Sequence, residues 1–199
     1  MKSVCVFCGS SDAVHPSYKK AAFQMGVTLA QNGIQIVYGG GKTGLMGELA
    51  NGALSVGGAV IGVIITSMNT PALAHTGITR MDVTPEMRSR KARMHELSDG
   101  FIAISGGFGT WDELFETLTW AQTGEHEKPV GLFNVNNFYA PLLAAIDHAV
   151  AEGFIFSKMF SKEGLTIQVR FFDNIAIGEN EFLKSCSCGK KSYDTAEAS

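Results

Sequence analysis

The chain has 199 residues, of which 45% are hydrophobic and 18% charged, with 16 Lys+Arg against 19 Asp+Glu. That length bounds the molecule at one domain with at most a small appendage, and it is enough for a core that needs no disulfide or metal staple. A net charge of −3 leaves no basic footprint for nucleic acid, and four cysteines (Cys5, Cys8, Cys186, Cys188) are too few for a disulfide scaffold.

The opening Met-Lys-Ser-Val-Cys-Val-Phe-Cys-Gly-Ser-Ser-Asp turns polar after a few apolar residues, too soon for a secretory signal. The longest apolar stretch, around 59–65, is far short of the ~20 residues of a membrane span. The expectation is a soluble, cytoplasmic protein that engages neither membrane nor nucleic acid. In chain order, short β-branched runs at 4–7, 34–38, 59–65, 101–104 and 130–133 read as strands buried on both faces. Between them, 18–31, 45–56, 85–97, 110–123 and 139–152 carry helical spacing of apolar residues. Residues 66–82, with Pro71 and Gly77, read as a loop ending in an edge strand at 78–82. A last strand is expected at 165–169, a short helix near 174–183, and a small polar tail from 185 to 199. The alternation predicts an α/β fold: one Rossmann-like domain over 1–184, a parallel sheet with helices on both faces, and the flexible tail 185–199.

Glycine is the anomaly, at 23 residues against an average share of about 7%. In such a sheet ligands bind beyond the carboxyl ends of the strands. Three glycine-bearing turns fall there: Cys8-Gly9-Ser10-Ser11, Gly39-Gly40-Gly41-Lys42-Thr43-Gly44, and Ser105-Gly106-Gly107-Phe108-Gly109-Thr110. The middle turn spells G-x-G-x-x-G, but the next strand ends Ile64-Ile65-Thr66-Ser67 with no acid for a ribose. Its Gly41-Lys42-Thr43 fails as a P-loop because Ile36 stands where the first glycine belongs. The third turn runs into a helix with Trp111-Asp112-Glu113-Leu114, so glycine backbone N–H groups, the Thr110 hydroxyl and a helix N-terminus converge on one anion-sized place. Asp112 and Glu113 read either as first-turn partners of the helix dipole or, for Glu113, as a carboxylate acting on whatever the anion carries. Glu116 reads as a solvated or ion-paired residue. Upstream, Met87-Arg88-Ser89-Arg90-Lys91-Ala92-Arg93 puts Arg90 and Arg93 on one helix face, either plain surface or a fork for a phosphate or carboxylate.

Met87-x-x-Arg90-Lys91, then Ser105-Gly106-Gly107-Phe108-Gly109-Thr110-x-x-Glu113, Thr119-Trp120-Ala121-Gln122 and Lys128-Pro129-Val130-Gly131-Leu132 together resemble the LONELY GUY (LOG) family. Members are cytokinin riboside 5′-monophosphate phosphoribohydrolases, often mislabelled lysine decarboxylases, and the resemblance runs over residues 2–156. It implies a Rossmann-like homodimer, without cofactor or metal, that hydrolyses the N-glycosidic bond of a nucleoside 5′-monophosphate to a free adenine-type base and ribose 5-phosphate. On matching positions it implies Arg90 and Glu113 as catalytic and Lys91 beside them in the substrate site. Gly107, Phe108, Gly109, Thr110, Trp111 and Asp112 become the nucleotide-contacting loop, with Thr119 at its edge. This chain departs from the family at Ser105, usually Pro, and at Arg88-Ser89, usually His-Glu. A third departure is Ala72-Leu73-Ala74-His75, where many members carry a glutamate three residues before the histidine.

Cleaving an N-glycosidic bond develops positive charge on the sugar, which a nearby carboxylate stabilises while it orients water. Glu113 suits that role if the preceding loop fixes the phosphate, and Arg90 suits pairing with it. Two rivals remain at this level: a non-catalytic carrier of a phosphorylated cofactor, like the molybdenum-cofactor carriers, and a general purine monophosphate nucleosidase. Cys5-x-x-Cys8 with Cys186-x-Cys188 would make a thiolate zinc site only if Cys5 left its buried strand, and the five histidines show no ligand spacing. Trp111, Phe115 and Trp120 lie on one helix at core or interface spacing.

Overall fold

The β-branched runs become strands and the amphipathic stretches become helices, in strict alternation. The computed structural model of the chain describes residues 1–155 and 169–172. The order is β1 (Ser3–Phe7), α1 (Pro16–Gln31), β2 (Gln35–Tyr38), α2 (Gly44–Ser55), β3 (Val60–Ile65) and β4 (Arg80–Thr84). It continues with α3 (Met87–Glu96), β5 (Gly100–Ala103), α4 (Phe108–Gln122), β6 (Val130–Phe133), α5 (Ala140–Ala151) and β7 (Val169–Phe172). Short 3₁₀ turns at Thr66–Met68 and Val135–Asn137 punctuate the loops.

The strands form one seven-stranded sheet in the order β4-β3-β2-β1-β5-β6-β7. All pairings are parallel, with Cys5 opposite Val37 on one side of β1 and opposite Phe101 on the other. The chain winds outward from β1 to β4, crosses back through α3, and winds outward again from β5. The winding therefore reverses between β1 and β5, and a doubly wound sheet opens its ligand crevice at that reversal. Every second strand residue faces one core. Val4, Val6, Ile36, Tyr38 and Ile102 meet Met25, Leu29 and Leu49 of α1 and α2 on one side. Cys5, Phe7, Val37, Phe101 and Val130 meet Met94, Leu114 and Leu118 of α3 and α4 on the other.

The two cysteines of the amino-terminal Cys-x-x-Cys thus belong to opposite cores, which prevents them from joining one tetrahedral site. Among the described residues no group of three or more His, Cys, Asp or Glu is placed to hold a metal, and no helix is long and apolar enough to cross a membrane. The edge strand β4 begins two residues later than the alternation predicts. Thr79 first accepts the Val60 N–H (3.0 Å) on its hydroxyl, and Ile78 packs against the core before the ladder starts at Arg80. The strand predicted at 165–169 meets the structure at Val169, where β7 begins. The predicted helix at 174–183, the tail 185–199 and Cys186 and Cys188 lie outside the described residues.

Candidate active site

The three glycine turns meet at the reversal between β1 and β5 and are stitched together by main-chain bonds. Gly9 N–H donates to Ser105 O (3.1 Å), joining the first turn to the third. Leu45 N–H donates to Gly9 O (3.0 Å), and the Thr43 hydroxyl to Ser10 O (2.8 Å), joining the second to the first. Asp12 accepts from Gly44 N–H at the start of α2 (3.0 Å) and from Lys19 (2.9 Å); the Lys19 bond, then the Gly44 one, hold its carboxyl below the usual range. The segment after β3 straps over the second turn: Lys42 N–H donates to Leu73 O, His75 N–H to Gly40 O (both 2.9 Å), and Gly41 bridges Ala74. Ala72-Leu73-Ala74-His75, where the family resemblance misses a glutamate, is this strap.

Together these turns enclose a cavity of about 630 Å³, large enough for a nucleotide-sized ligand. Its lining combines the glycine turns Gly9–Ser11 and Gly106–Thr110 with the apolar side chains of Met46, Ile64, Met68, Leu73 and Met87. The charged groups lining it are Arg90 and Glu113. Both are 7% exposed. Arg90 comes from the first turn of α3, where its Nε donates to Val63 O (2.9 Å), and one terminal nitrogen meets Glu113 Oε1 (2.8 Å) and Met87 Sδ (3.4 Å). Gly39 backs this guanidinium so closely that a side chain there would overlap it, which is what the glycine of the second turn is for. Burial drives the Glu113 carboxyl above the ordinary glutamate value, against the pull of the Arg90 charge. Cys8, also in the wall, is pushed well up by burial and by Glu113, so its thiol stays protonated and is no nucleophile at neutral pH.

The third turn folds differently from expectation. α4 starts at Phe108, inside the glycine run, so the helix holds no acidic residue in its first turn and Glu113 sits one turn deeper. The dipole-partner reading of Asp112 and Glu113 is therefore corrected: Glu113 points into the wall, and Asp112 turns outward to Lys91 (3.0 Å). Gly107 caps α4, Thr110 is buried against Gly106, and Phe108 is 87% exposed at the mouth. Gly107, Phe108, Gly109, Thr110, Arg90 and Glu113 all line the cavity; Lys91, Trp111, Asp112 and Thr119 are not among its lining residues. Lys91 instead joins Asp112 and Glu116 (2.9 Å). Its burial disfavours the charge, but those hydrogen bonds outweigh it and raise the ammonium above its ordinary value. Glu116 is thus ion-paired. Arg93, on the face predicted for Arg90, is engaged by Asp82 and Glu96 (3.0 Å each). Thr119 donates its hydroxyl to Phe115 O (2.7 Å).

Sequence reading passes over the apolar part of the lining, Tyr18 and Phe138 included. The one available signal was position: Met46, Ile64 and Met68 each fall within a few residues of a strand's carboxyl end or of a glycine turn.

Residues 46–166 match the family model described as possible lysine decarboxylase. A cytokinin riboside 5′-monophosphate phosphoribohydrolase of Rhodococcoides fascians is 50% identical over 155 residues, 77% of this chain and 78% of that protein. One of the same name from Arabidopsis thaliana is 47% identical over 154 residues, 77% of this chain and 72% of that protein. Among solved structures, a molybdenum cofactor binding protein of Rippkaea orientalis superposes with a TM-score of 0.59 at 24% identity, over 85% of this chain and 89% of that one. The molybdenum cofactor carrier protein of Chlamydomonas reinhardtii gives 0.59 at 20% identity, over 84% and 88%. Both share the fold. With its relatives and the Arg90–Glu113 wall on the same sheet reversal, this chain belongs to the LONELY GUY family.

Proposed function

We propose that the chain hydrolyses the N-glycosidic bond of a nucleoside 5′-monophosphate, a cytokinin riboside 5′-monophosphate or AMP, releasing an adenine-type base and ribose 5-phosphate in the cytoplasm. The observation that carries this reading is the buried Arg90–Glu113 pair in the wall of a nucleotide-sized cavity, one turn from the start of α4. A carrier that only cradles a phosphorylated cofactor has no use for a carboxylate kept in a dry wall at a cost in desolvation. The names of the relatives at 50% and 47% identity point the same way.

In this reading Gly107, Phe108, Gly109 and Thr110 hold the 5′-phosphate with main-chain N–H groups and the α4 N-terminus. Phosphate binding fixes the ribose above Glu113, so binding energy from a remote group is used at the reacting carbon. As the C–N bond breaks, the ionised Glu113 carboxylate stabilises the cationic sugar and orients the water that attacks it; the oxygen of that water stays on the anomeric carbon and the proton it loses ends on the base nitrogen that departs. Arg90 holds that carboxylate in place and donates to the ribose hydroxyls or leaving base; a guanidinium brings charge and N–H donors and no acceptor. Lys91 and Asp112 set the charge around Glu113 from the solvent side. Trp111 and Thr119 are assigned to the rim of the site, where a second copy is proposed to pack.

The test follows ribose 5-phosphate release from AMP and from isopentenyladenosine monophosphate. Release from at least one, reduced 10²-fold or more in Glu113→Gln, is expected on the scale of a lost transition-state interaction; the ratio of the two rates names the preferred base. Adenosine should be a poor substrate, and equal kcat/KM for adenosine and AMP would remove the phosphate from the mechanism. Nucleotide binding without release from either substrate would leave a carrier.

A further inference from the structure

Arg90 and Glu113 stand on different helices, so the distance between guanidinium and carboxylate depends on how α3 and α4 are rotated against each other. Three polar ties join these helices, and the ring of Trp120 on α4 lies 4.5 Å from that of His95 on α3. The first is the pair itself. The second, Lys91 to Asp112 and Glu116, is mixed: Asp112 stands in solvent, where its pair is screened, while Lys91 and Glu116 are largely covered. The third is buried: His95 Nε2 lies 3.0 Å from the hydroxyl of Thr117, whose exposure is nil.

That hydroxyl has one proton and gives it to Glu113 O (2.7 Å). His95 Nε2 must therefore carry a proton and be the donor to it. Thr117 is held from a second direction. His126 Nε2 faces Thr117 O (3.0 Å), a carbonyl that can only accept, while Lys128 N–H donates to His126 Nδ1 (3.1 Å). His95 is itself fixed from behind by Lys128 Nζ on its carbonyl oxygen (2.6 Å) and by the rings of Phe101 and Trp120 at 4.3 and 4.5 Å. Thr117 lies one helical turn, about 6 Å, from Glu113 on the same face of α4. Two ties a turn apart on one face stop a helix from pivoting about either, which one tie alone does not.

We propose that His95 is a positioning residue for the Arg90–Glu113 pair: through Thr117 it fixes the rotation of α4 against α3 and so the geometry in which the guanidinium meets the carboxylate. The inference rests on the reading of that pair as the reacting groups. The clamp itself does not titrate during catalysis. Burial first, then His126, Lys128 and Lys91 around it, pull His95 down to about 3. Any change in the acid limb of activity on altering the clamp therefore reports Glu113, which is faced by Arg90 and Lys91 of α3, by Asp112 of its own helix, and by the buried thiols of Cys5 and Cys8, which stay protonated.

His95→Leu is the informative variant, because Thr117 keeps its bond to Glu113 O and no buried donor is stranded. Expected are a kcat lower by about tenfold to a hundredfold, the scale of a sub-ångström misplacement, and a KM within about threefold of the parent. The Glu113 titration should move to higher pH, since a looser guanidinium stabilises the carboxylate less. ¹³C-glutamate NMR, assigned with Glu113→Gln, follows that titration without any substrate, so it reads the clamp even if the protein cleaves no nucleotide. His95→Gln, which keeps a donor facing Thr117, should restore both the rate and the titration. A folded His95→Leu protein with parental kcat and parental Glu113 midpoint overturns the proposal. If His95→Leu does not fold, a displaced Glu113 midpoint in His95→Gln overturns it instead.

Discussion

At Glu113 two influences oppose each other. Burial favours the neutral acid, and the Arg90 charge at 2.8 Å favours the carboxylate; burial prevails, and the carboxyl stands above the ordinary glutamate value. The proposed chemistry needs the ionised form. As pH falls through the raised value Glu113 takes up a proton and activity is lost, so kcat/KM should drop on the acid side with a midpoint above the ordinary glutamate value of 4.5. A pH–rate profile that stays flat to pH 4, or that rises toward acid, would show that the carboxylate is not the working form. Arg90 does more than supply charge. It meets Val63 O through Nε, and both Met87 Sδ and Glu113 through one terminal nitrogen of the same planar group. A lysine ammonium is a single point at the end of a flexible stem and cannot meet the strand carbonyl and the carboxylate together. Arg90→Lys should therefore lower kcat by roughly 10²-fold while the protein stays folded; full kcat in that variant would reduce Arg90 to a counter-charge.

Among the elements, α1 and α2 show how the sequence sets a crossing. A side chain at Gly26 of α1 would overlap Leu49 O and approach Ala53 N within 2.8 Å, and one at Gly52 of α2 would overlap Phe23 O. The helices lie main chain against main chain, so there is no flexible side chain to give way. Gly26→Ala should cost about 1–3 kcal/mol or more in denaturant unfolding, the scale of an overpacked core, although alanine is the better helix former; an unchanged or raised midpoint would mean that the helices separate freely. The alternation of β-branched runs and apolar 3.6-residue spacing made the main elements legible, because strands buried on both faces and helices buried on one leave different periods in the sequence. The start of α4 is not legible for a local reason: Gly107-Phe108-Gly109 is poor helix sequence, and the helix forms there because Gly106, just before its cap, is packed between Gly9 of the first turn and Thr110. The strap over Gly39–Gly44 has no period at all, since main-chain bonds to Gly40, Gly41 and Lys42 hold it. Arg90 and Glu113 could be singled out by motif, but their burial and pairing, like the contact of His95 with Thr117, arise only when α3 and α4 are laid side by side.

For the whole molecule the unsettled balance is apolar surface. α4 completes one side of the core with Leu114, Leu118 and Ala121, yet its outer side carries Phe108 at 87%, Trp111 at 37% and Phe115 at 42% exposure. These sit at i, i+3 and i+7, a stripe that follows one helix face. Aromatic rings in a row on an otherwise polar surface mark a contact with another protein more often than chance exposure. Symmetric pairing of two copies is the commonest way a soluble chain covers such a face. Sedimentation equilibrium at micromolar concentration should accordingly give twice the chain mass, and Phe115→Glu, which places a charge in the stripe away from the cavity, should return it to one chain mass with the fold intact. Phe108 belongs both to the stripe and to the cavity mouth. Breaking the contact should therefore raise KM for the nucleotide as well, because the mouth loses the surface packed against it. A parent that sediments as a single chain, or a Phe115→Glu monomer with parental KM, would separate the stripe from the site and leave the cavity complete within one copy.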